Sequence, residues 1–384
     1  MKRIATYLPL VLLVFTVLGC KETQKKTQKA VANQTFVAAE SRELLVGTYT
    51  GENSKGIYRL QFDPETATLT DLELVATTEN PSYLQISKDK KTVYAVNETK
   101  PGTLTSFVWN ADRTKLNFMN TASSEGAHPC YIALDPSEGL VAAANYSTGN
   151  IALYTLENAA TFSDDVQVKQ HESGTSLASN ETTPKAHFVT FDAQGKYLYA
   201  VDLGLDQVLS YPVDAHGNLG NAQVALQLDQ GDGPRHLVFH PTRDLVFVVN
   251  ELSSTVVSAQ VDSTSGIFKK IEKISTLPET FTDQSFCADI HITANGNFLY
   301  ASNRGHNSIA IFKVGENGSL ELLGTEAVRG DWPRNFTLTP GDTHMLVANQ
   351  KSNNITVFKV DALTGQLHFT GQEITVEQPV CIQF

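Results

Sequence analysis

The sequence predicts an all-β protein, a seven-bladed β-propeller whose ring is closed by pairing of the C-terminal strand with the N-terminal blade. Three observations predict it: a strand template recurs six times, the two chain ends supply parts of a seventh copy, and helical periodicity is nearly absent. Four short antiparallel strands repeating at this interval are typical of propeller blades. The predicted domain covers residues 44–384, or about 49 residues per blade.

Each of the six copies has a polar or proline start, a short apolar strand, a polar turn, a longer apolar strand and a final Asn or Asp. The copies are PSYLQISKDKKTVYAVNE, PCYIALDPSEGLVAAANY, AHFVTFDAQGKYLYAVDL, PRHLVFHPTRDLVFVVNE, ADIHITANGNFLYASNR and PRNFTLTPGDTHMLVANQ. Their second strands end at Asn97, Asn145, Asp202, Asn250, Asn303 and Asn349, in steps of 48, 57, 48, 53 and 46 residues. The pattern predicts the two innermost strands of six consecutive blades.

The remaining strands follow from the segments between and outside these copies. Third strands are predicted at GTLTSFVW, GNIALYTL, DQVLSYPV, STVVSAQV, NSIAIFKV and NNITVFKV, and SLELLGTEAV is typical of an outer fourth strand. Near the N-terminus, LLVGTYT and GIYRLQFD resemble second and third strands that lack a first, which PVCIQF at the C-terminus can supply. Joining the two ends completes a seventh blade and removes the exposed sheet edges of an open array.

The first nineteen residues are predicted to be a signal peptide. Lys2 and Arg3 precede an apolar stretch from Leu8 to Leu18, which is typical of a secretory signal and too short for a stable transmembrane helix. The following Gly19–Cys20 completes a segment, VLGC, that resembles a bacterial lipobox. An ordinary secretory signal with a chance cysteine is the alternative.

The lipobox reading makes Cys20 the lipidated first residue of the mature protein, held outside the cytoplasm at the bacterial cell envelope. Residues 20–43 are polar and aperiodic, so they are predicted to form a flexible tether. The lipid anchor is then the only predicted contact with a membrane.

Composition excludes several classes of protein. The formal net charge is −12, and cleavage of the signal would make it −14, which argues against a nucleic-acid partner. Four cysteines are too few for a disulfide scaffold in a domain of this size. After Cys20, the remaining Cys130, Cys287 and Cys381 form no CxxC pair and are expected to be small buried thiols.

Propeller geometry brings two sets of positions to one end of the central channel, which we call the mouth. The start of the first strand and the end of the second lie together there, because neighbouring strands run antiparallel. The start set is Ser82, Cys130, His187, Arg235, Ala288, Arg334 and Val380. The end set is Glu98, Tyr146, Leu203, Glu251, Arg304, Gln350 and Thr48.

Most charged members of these sets fall in consecutive blades, on one side of the predicted mouth. They are His187, Arg235, Glu251, Arg304 and Arg334. Several cations near one carboxylate are unfavourable when buried unless they pair or meet an anionic ligand, so the cluster indicates a binding site for an anion. Solvated salt bridges at the rim are the alternative.

The recurring Asn and Asp at the second-strand ends favour a structural role, in which a short side chain bonds local backbone. Calcium binding is the alternative, but carboxylates near the mouth are few, so no metal site is predicted. His236, His240 and His291 lie in or beside first strands, where packing or ligand binding are both open. The sequence contains no convincing Ser-His-Asp arrangement, zinc spacing or phosphate-binding glycine loop.

The chain resembles the seven-bladed propeller lactonase family, which includes bacterial 6-phosphogluconolactonases and fungal carboxy-muconate lactonizing enzymes. The resemblance spans about 43–384 and rests on GPRHLVFHP, VVNEL, CADIHIT, FLYASNR, PRNFTLTPGD and QKSNNITVFKV, in that order. It implies that His187, Arg235, Glu251 and Arg304 are catalytic, and that no cofactor is needed. Arg334, His236 and His291 are added as candidate substrate ligands.

The chemistry of these residues suits opening of a lactone, the expected small-molecule substrate. Glu251 or His187 can act as acid or base, and Arg235 and Arg304 can stabilise an oxyanion or hold an anionic group. The resemblance implies a 6-phosphogluconolactonase-like activity, but an envelope location suits an unphosphorylated aldonolactone or another carboxylated lactone better. A muconate-type lactonizing cycloisomerase and a non-catalytic propeller that binds carbohydrate or protein are the alternatives. The oligomeric state does not follow from the sequence.

Overall fold

The computed structural model describes residues 42–172 and 183–384, and these residues form 28 β-strands and no helix. The first fourteen strands are β1 (Arg42–Thr48), β2 (Gly56–Asp63), β3 (Thr68–Thr77), β4 (Leu84–Ile86), β5 (Thr92–Asn97), β6 (Thr103–Trp109), β7 (Leu116–Ser123), β8 (Pro129–Leu134), β9 (Leu140–Asn145), β10 (Asn150–Asn158), β11 (Thr161–Gln170), β12 (Ala186–Phe191), β13 (Tyr197–Asp202) and β14 (Gln207–Pro212). The other fourteen are β15 (Gln223–Gln227), β16 (Pro234–Phe239), β17 (Leu245–Asn250), β18 (Thr255–Asp262), β19 (Ile267–Ser275), β20 (Phe286–Ile292), β21 (Phe298–Arg304), β22 (Ser308–Val314), β23 (Leu320–Ala327), β24 (Pro333–Leu338), β25 (His344–Asn349), β26 (Asn354–Val360), β27 (Leu367–Thr375) and β28 (Pro379–Gln383).

These strands form seven antiparallel sheets of four strands each, and each sheet is one blade. Six blades use four consecutive strands, whereas the seventh has the order β28–β1–β2–β3. Its innermost pair joins the two ends of the chain, with Val46 opposite Ile382 and Gly47 opposite Cys381. The predicted closure of the ring by the C-terminal strand is therefore confirmed. We number this composite blade as the first.

The blades form a closed ring around a central channel. The innermost strands are β28, β4, β8, β12, β16, β20 and β24, each of which contacts the next, and β24 contacts β28 in turn. This arrangement confirms the predicted seven-bladed β-propeller. Because every innermost strand has a neighbour on both sides, all seven contribute residues to the channel.

The core lies between the faces of adjacent blades. Second strands are buried along their whole length, as in β17 with its sequence LVFVVN, because continuous apolar runs form strands that are covered on both faces. Between the seventh and first blades, Leu346 and Val357 pack with Leu44 and Val46. Outer strands such as β19 alternate between exposed and partly buried residues, since only one of their faces meets a neighbour.

The predicted signal peptide at 1–19 and the lipidated Cys20 lie outside the described residues. Most of the predicted tether at 20–43 does so as well, and β1 begins at Arg42, two residues before the predicted start of the domain. Within 42–172 and 183–384, no helix has the length and apolarity needed to span a bilayer.

Candidate active site

A β-bulge presents the start-set residue in six of the seven blades. In the fifth blade Pro234 pairs with Asn250 and His236 pairs with Val249, so Arg235 is the extra residue of the bulge. The same shift in register places Cys130, His187, Ala288, Arg334 and Val380 in bulges. A bulge bends the strand and re-aims the extra side chain. The repeated bulge therefore gives each blade one side chain directed away from the regular ladder.

The start-set side chains converge at the channel axis. Five of the seven line one small void of about 10 Å³, namely Ser82, Cys130, Arg235, Arg334 and Val380. A void of this size holds about one water molecule. The small residues among the seven leave this space to the guanidinium groups of Arg235 and Arg334, so these two cations share the floor of the mouth.

The end-set residue is fixed by one backbone hydrogen bond that recurs around the ring. In the fifth blade the amide of Glu251 donates to the carbonyl of Gly233 at 2.7 Å. Gly233 has a left-handed backbone with φ of 60°, and a side chain there would meet Leu252 at 2.5 Å. A side chain there would have to displace that of Leu252, so glycine suits the point where the chain turns into Pro234 and Arg235.

The end set was predicted correctly in six blades and wrongly in the first. Thr48 pairs with Pro379, is fully buried, and donates its hydroxyl to Gly56 O, so it occupies the place of the recurring Asn. The following Tyr49 makes the recurring hydrogen bond, from its amide to the carbonyl of Gln378. Tyr49, not Thr48, is the residue that the first blade brings to the mouth. A sequence signal for this register was available, because Pro379–Val380 matches the Pro–Arg and Pro–Cys starts of other blades. In those blades the Pro pairs with the recurring Asn, as Pro379 pairs with Thr48.

The recurring Asn and Asp residues are buried and bonded within the scaffold. Asn97 donates to Thr78 and Glu79 and accepts from the hydroxyl of Thr105, and Asn303 is bonded in a similar way to Thr276 and Ser308. These contacts support the predicted structural role. Among the described residues, no group of three or more His, Cys, Asp or Glu side chains is arranged to hold a metal ion.

Asp202 is the only acidic member of this recurring set, and its hydrogen-bond partners explain why a carboxylate stands there. Its carboxylate accepts from the amides of Lys185 and Leu205, and it lies 2.6 Å from Nδ1 of His171. Both the His171 and Asp202 side chains are fully buried. An imidazole beside this position favours a carboxylate over an amide.

Glu251 is held between two guanidinium groups from adjacent blades. Its Oε2 atom lies 3.0 Å from Nε of Arg235 and 2.9 Å from Nη2 of Arg304. The Arg235 N–H is not aligned for a hydrogen bond to the carboxylate, so that contact is ionic. Arg304 also donates to the carbonyls of Phe286 and Cys287, which fixes its planar group. The structure thus brings together three of the four predicted catalytic residues.

The charged groups of this cluster shift one another's pKa values. Burial would raise the pKa of Glu251, but Arg304, Arg235 and Arg334 outweigh it and leave that pKa below its ordinary value. Burial lowers the pKa of Arg304 to about 10, although Glu251 opposes the shift. Near neutral pH, Glu251 is therefore an anion between two cations.

His187 lies beside this cluster in the fourth blade. Its ring centroid is 5.6 Å from that of Tyr146 and 5.3 Å from that of His236. Burial, reinforced by the positive charge of Arg235, holds the pKa of His187 well below 6.5. Its Nδ1 atom is buried without a hydrogen-bond partner among the described residues. His187 is thus a neutral imidazole with a free ring nitrogen.

A second polar cluster at the mouth is formed by Tyr49, Glu98 and Arg334. Arg334 reaches from the seventh blade across the first, with its guanidinium 5.3 Å from the ring centroid of Tyr49. Its Nη2 lies 3.6 Å from Oε2 of Glu98, to which the Tyr49 hydroxyl donates at 2.9 Å. Sequence analysis placed Arg334 and Glu98 at the mouth but left Glu98 outside the charged cluster, and the structure joins it to Arg334. Glu98 follows the same VN dipeptide as Glu251, a signal that sequence reasoning had not used.

His236 and His291 are both bonded to Asp289, a buried carboxylate that sequence reasoning missed. Nδ1 of His236 lies 2.9 Å from Asp289 Oδ1, and Nε2 of His291 lies 3.1 Å from Oδ2. On its other side His236 contacts Nη1 of Arg235 at 3.2 Å. Both histidines line a cavity of about 210 Å³ whose walls include neither Glu251 nor Arg304. His236 is thus brought to Arg235, and both histidines face a neighbouring cavity rather than the carboxylate of Glu251.

Comparisons with known proteins agree with this architecture. Residues 43–384 match the family described as Lactonase, 7-bladed beta-propeller. The chain belongs to the seven-bladed propeller lactonase family. The resemblance expected from the sequence is therefore confirmed over the whole described domain.

Several relatives in this lactonase family are named for related activities. The chain is 31% identical over 341 residues to a 6-phosphogluconolactonase of Bacillus subtilis, covering 88% of this chain and 97% of the relative. It is 31% identical over 350 residues to a 6-phosphogluconolactonase of Formosa agariphila, with 88% and 98% covered. Among solved structures, the periplasmic gluconolactonase PpgL of Pseudomonas aeruginosa superposes with a TM-score of 0.84 at 30% identity, covering 90% and 99% of the two chains.

Proposed function

We propose that the protein hydrolyses a sugar-acid lactone to the open acid, in the manner of a 6-phosphogluconolactonase or gluconolactonase. The observation that carries the proposal is the position of Glu251 between Arg235 and Arg304, with the neutral imidazole of His187 beside them. Membership of the lactonase family and the names of its relatives support the reaction class.

The net charge of the mouth favours a reaction that develops negative charge. Three guanidinium groups, those of Arg235, Arg304 and Arg334, face two carboxylates, those of Glu251 and Glu98. One positive charge therefore remains in a partly buried site. Water attack on an ester carbonyl forms an oxyanion, and fixed cations stabilise it more strongly there than in bulk water.

We assign the proton transfers to His187. Oε2 of Glu251 is already shared by two guanidinium groups, whereas the imidazole of His187 is neutral and therefore keeps a nitrogen lone pair for a proton. His187 takes a proton from water as the water oxygen bonds to the carbonyl carbon. When the bond from that carbon to the ring oxygen breaks, His187 returns the proton to the ring oxygen, which becomes a hydroxyl.

Arg235 and Arg304 stabilise the oxyanion, and Glu251 positions both of them. A guanidinium presents a rigid fork of donors, so a fixed partner on one edge leaves the other N–H groups directed to a substrate oxygen. His236 contacts Nη1 of Arg235, and Arg334 lines the same small void as Arg235. No step of this mechanism uses a cofactor.

We further propose that the protein acts outside the cytoplasm. Residues 1–19 would be removed as a signal peptide, lipidated Cys20 would anchor the chain, and residues 20–43 would connect the anchor to the propeller. The likeness to a periplasmic gluconolactonase supports this location. An envelope enzyme meets unphosphorylated aldonolactones more readily than phosphorylated metabolites of the cytoplasm, so the substrate proposed is an aldonolactone.

The test is hydrolysis by the purified protein of gluconolactone and of 6-phosphogluconolactone, beside cyclisation of muconate-type acids. We expect lactone opening above the spontaneous rate, with gluconolactone the better substrate, and its loss in Glu251→Gln. Glu321→Gln, on an exposed position of β23, is the matched control and should keep full activity. Activity unchanged in Glu251→Gln contradicts the site, turnover of muconates alone supports the cycloisomerase, and glycan binding without turnover supports a binding propeller.

A further inference from the structure

Tyr49, Glu98 and Arg334 form a second cluster of polar groups at the mouth, beside the cluster of Arg235, Glu251 and Arg304. They come from the first, second and seventh blades, and none has a role in the proton transfers proposed above. The side chains of Arg334 and Glu98 are 15% and 17% exposed, so they are accessible at the mouth yet held within it.

The hydrogen bonds of this cluster are incomplete. Tyr49 and Arg334 both approach Oε2 of Glu98, and within residues 42–172 and 183–384 Oε1 of Glu98 accepts no hydrogen bond. In the same part of the chain, the guanidinium of Arg334 donates no hydrogen bond to another residue. The nearest carboxylate oxygen, Oε2 of Glu98, is 3.6 Å from its Nη2 atom. The cluster therefore offers one free acceptor and several free donors on neighbouring side chains.

Tyr49 orients Glu98 rather than competing for a ligand as an anion. Burial raises the pKa of Tyr49 although Arg334 opposes the shift, so the phenol stays protonated and donates to Glu98. The Arg334 guanidinium also lies over the Tyr49 ring, where a cation–π interaction favours its position. Both charged groups are thus preorganised around the unused atoms.

The ligand that matches this pattern carries hydroxyl groups on adjacent carbons. Each hydroxyl both donates and accepts, so one can donate to Oε1 of Glu98 while its neighbour accepts from Arg334. A phosphate or a second carboxylate offers only acceptors and would be repelled by Glu98. The cluster itself is electrically neutral, unlike the Arg235–Glu251–Arg304 cluster, which has a net positive charge.

We propose that Tyr49, Glu98 and Arg334 form a subsite for the vicinal hydroxyl groups of a polyhydroxylated lactone, which makes the enzyme selective for sugar lactones over unsubstituted ones. This inference rests on the proposed lactonase function and specifies its substrate class. In this arrangement one side of the mouth acts on the ester and the other side holds the polyol chain.

The test compares D-glucono-δ-lactone with δ-valerolactone, which has the same ring and ester but no hydroxyl groups. We expect Glu98→Gln to lower kcat/KM for gluconolactone about 10- to 100-fold and Tyr49→Phe about 10-fold, because each removes or misorients a charged hydrogen-bond partner. Neither variant should lower kcat/KM for δ-valerolactone, because neither removes a group that acts on the ester, and loss of the negative charge of Glu98 favours the oxyanion. Glu52→Gln, an exposed glutamate of the same blade as Tyr49, is the control and should match the wild type on both substrates.

Binding of D-glucitol, a polyol without an ester, separates the subsite from the reaction. NMR titration should show that glucitol binds the wild type and binds Glu98→Gln about tenfold more weakly. Equal losses on both lactones, no loss on either, or glucitol binding that is absent or independent of Glu98 would overturn the subsite. If the wild type opens neither lactone but binds glucitol through Glu98, the lactonase function fails and the subsite stands.

Discussion

Asn250 and Glu251 are neighbours at the end of β17, yet they belong to rings of opposite character. The ring that contains Asn250 has nearly the same residue in every blade, and its members are buried and bonded to their own blade or the adjoining loops. The ring that contains Glu251 varies in residue type around the mouth, with Glu, Arg, Tyr, Gln and Leu among its members, and its charged members contact other blades. The uniform ring is therefore part of the scaffold, and the charged groups of the candidate active site lie where the repeat varies.

The largest expected effect comes from His187, a start-set residue at the mouth whose Nδ1 has no hydrogen-bond partner among the described residues. His187→Gln should lower kcat/KM for gluconolactone about 10³-fold, because the proton acceptor is lost. The melting temperature should stay within a few degrees of the wild type. Steady-state kinetics and thermal melting followed by circular dichroism measure the two quantities.

The pH dependence of the wild type checks the same assignment. His187 acts as a base when neutral, and its pKa is held well below 6.5, so kcat/KM should remain on its plateau as the pH falls through 6.5. A decline centred at pH 6.5 or above would contradict the role of a buried imidazole beside Arg235.

A smaller effect on kcat is expected when Arg304 keeps its positive charge but loses the shape of the guanidinium group. Arg304→Lys retains a cation near Glu251 but loses the fork that joins Glu251 to the carbonyls of Phe286 and Cys287. We expect kcat to fall about 10²-fold. Arg329→Lys, at an exposed ion pair with Glu326, should leave kcat unchanged. Equal activity of both variants would show that charge alone suffices at position 304.

Substitution of a residue in the uniform ring should lower the stability of the protein rather than its catalytic rate. Asn97→Ala removes the contacts with Thr78, Glu79 and Thr105 and leaves buried groups without partners. We expect the free energy of unfolding to fall by about 2–3 kcal/mol, with kcat of the folded enzyme retained. Asn117→Ala, on an exposed position of β7, should change neither quantity in chemical denaturation and kinetic assays. A stable but inactive Asn97→Ala protein would reverse the comparison of the two rings.

The smallest effect concerns the pH dependence of stability. Burial and the charge of Arg235 lower the pKa of His236 to about 4, so as the pH falls the unfolded chain binds a proton before the folded protein does. Stability from this group is complete above pH 6.5 and is lost progressively toward pH 4. Between pH 7.5 and 5 we expect the wild type to lose about 2 kcal/mol more than His236→Asn, measured by denaturant unfolding. Equal losses would mean that His236 titrates normally.

The sequence predicted the fold because the repeat is long and regular. Six copies fixed the order of the blades, and the two chain ends had to complete the seventh, which the pairing of β1 with β28 confirms. The register within that composite blade was one residue wrong, because Thr48 performs with a hydroxyl what Asn performs elsewhere. A pattern based on residue type cannot detect such a replacement.

Contacts across the mouth were harder to predict than positions around it. Strand ends could be assigned to the mouth from the repeat, so Arg235, Glu251 and Arg304 were expected near one another. The contacts of Arg334 with Tyr49 and Glu98 depend on the length of its side chain and on the direction that the bulge gives it. The repeat pattern specifies neither. Asp289 was missed because it follows Ala288 in a bulge that changes which face of β20 each residue occupies.

The pairing of β28 with β1 also makes the floor of the mouth depend on both ends of the propeller. Val380 lines the same void as Arg235 and Arg334, and its strand is held by β1, which is more than 300 residues away in the chain. Loss of this pairing would open the ring and remove one wall of that void. The floor of the mouth is therefore complete only when the first and the last strands of the propeller are joined.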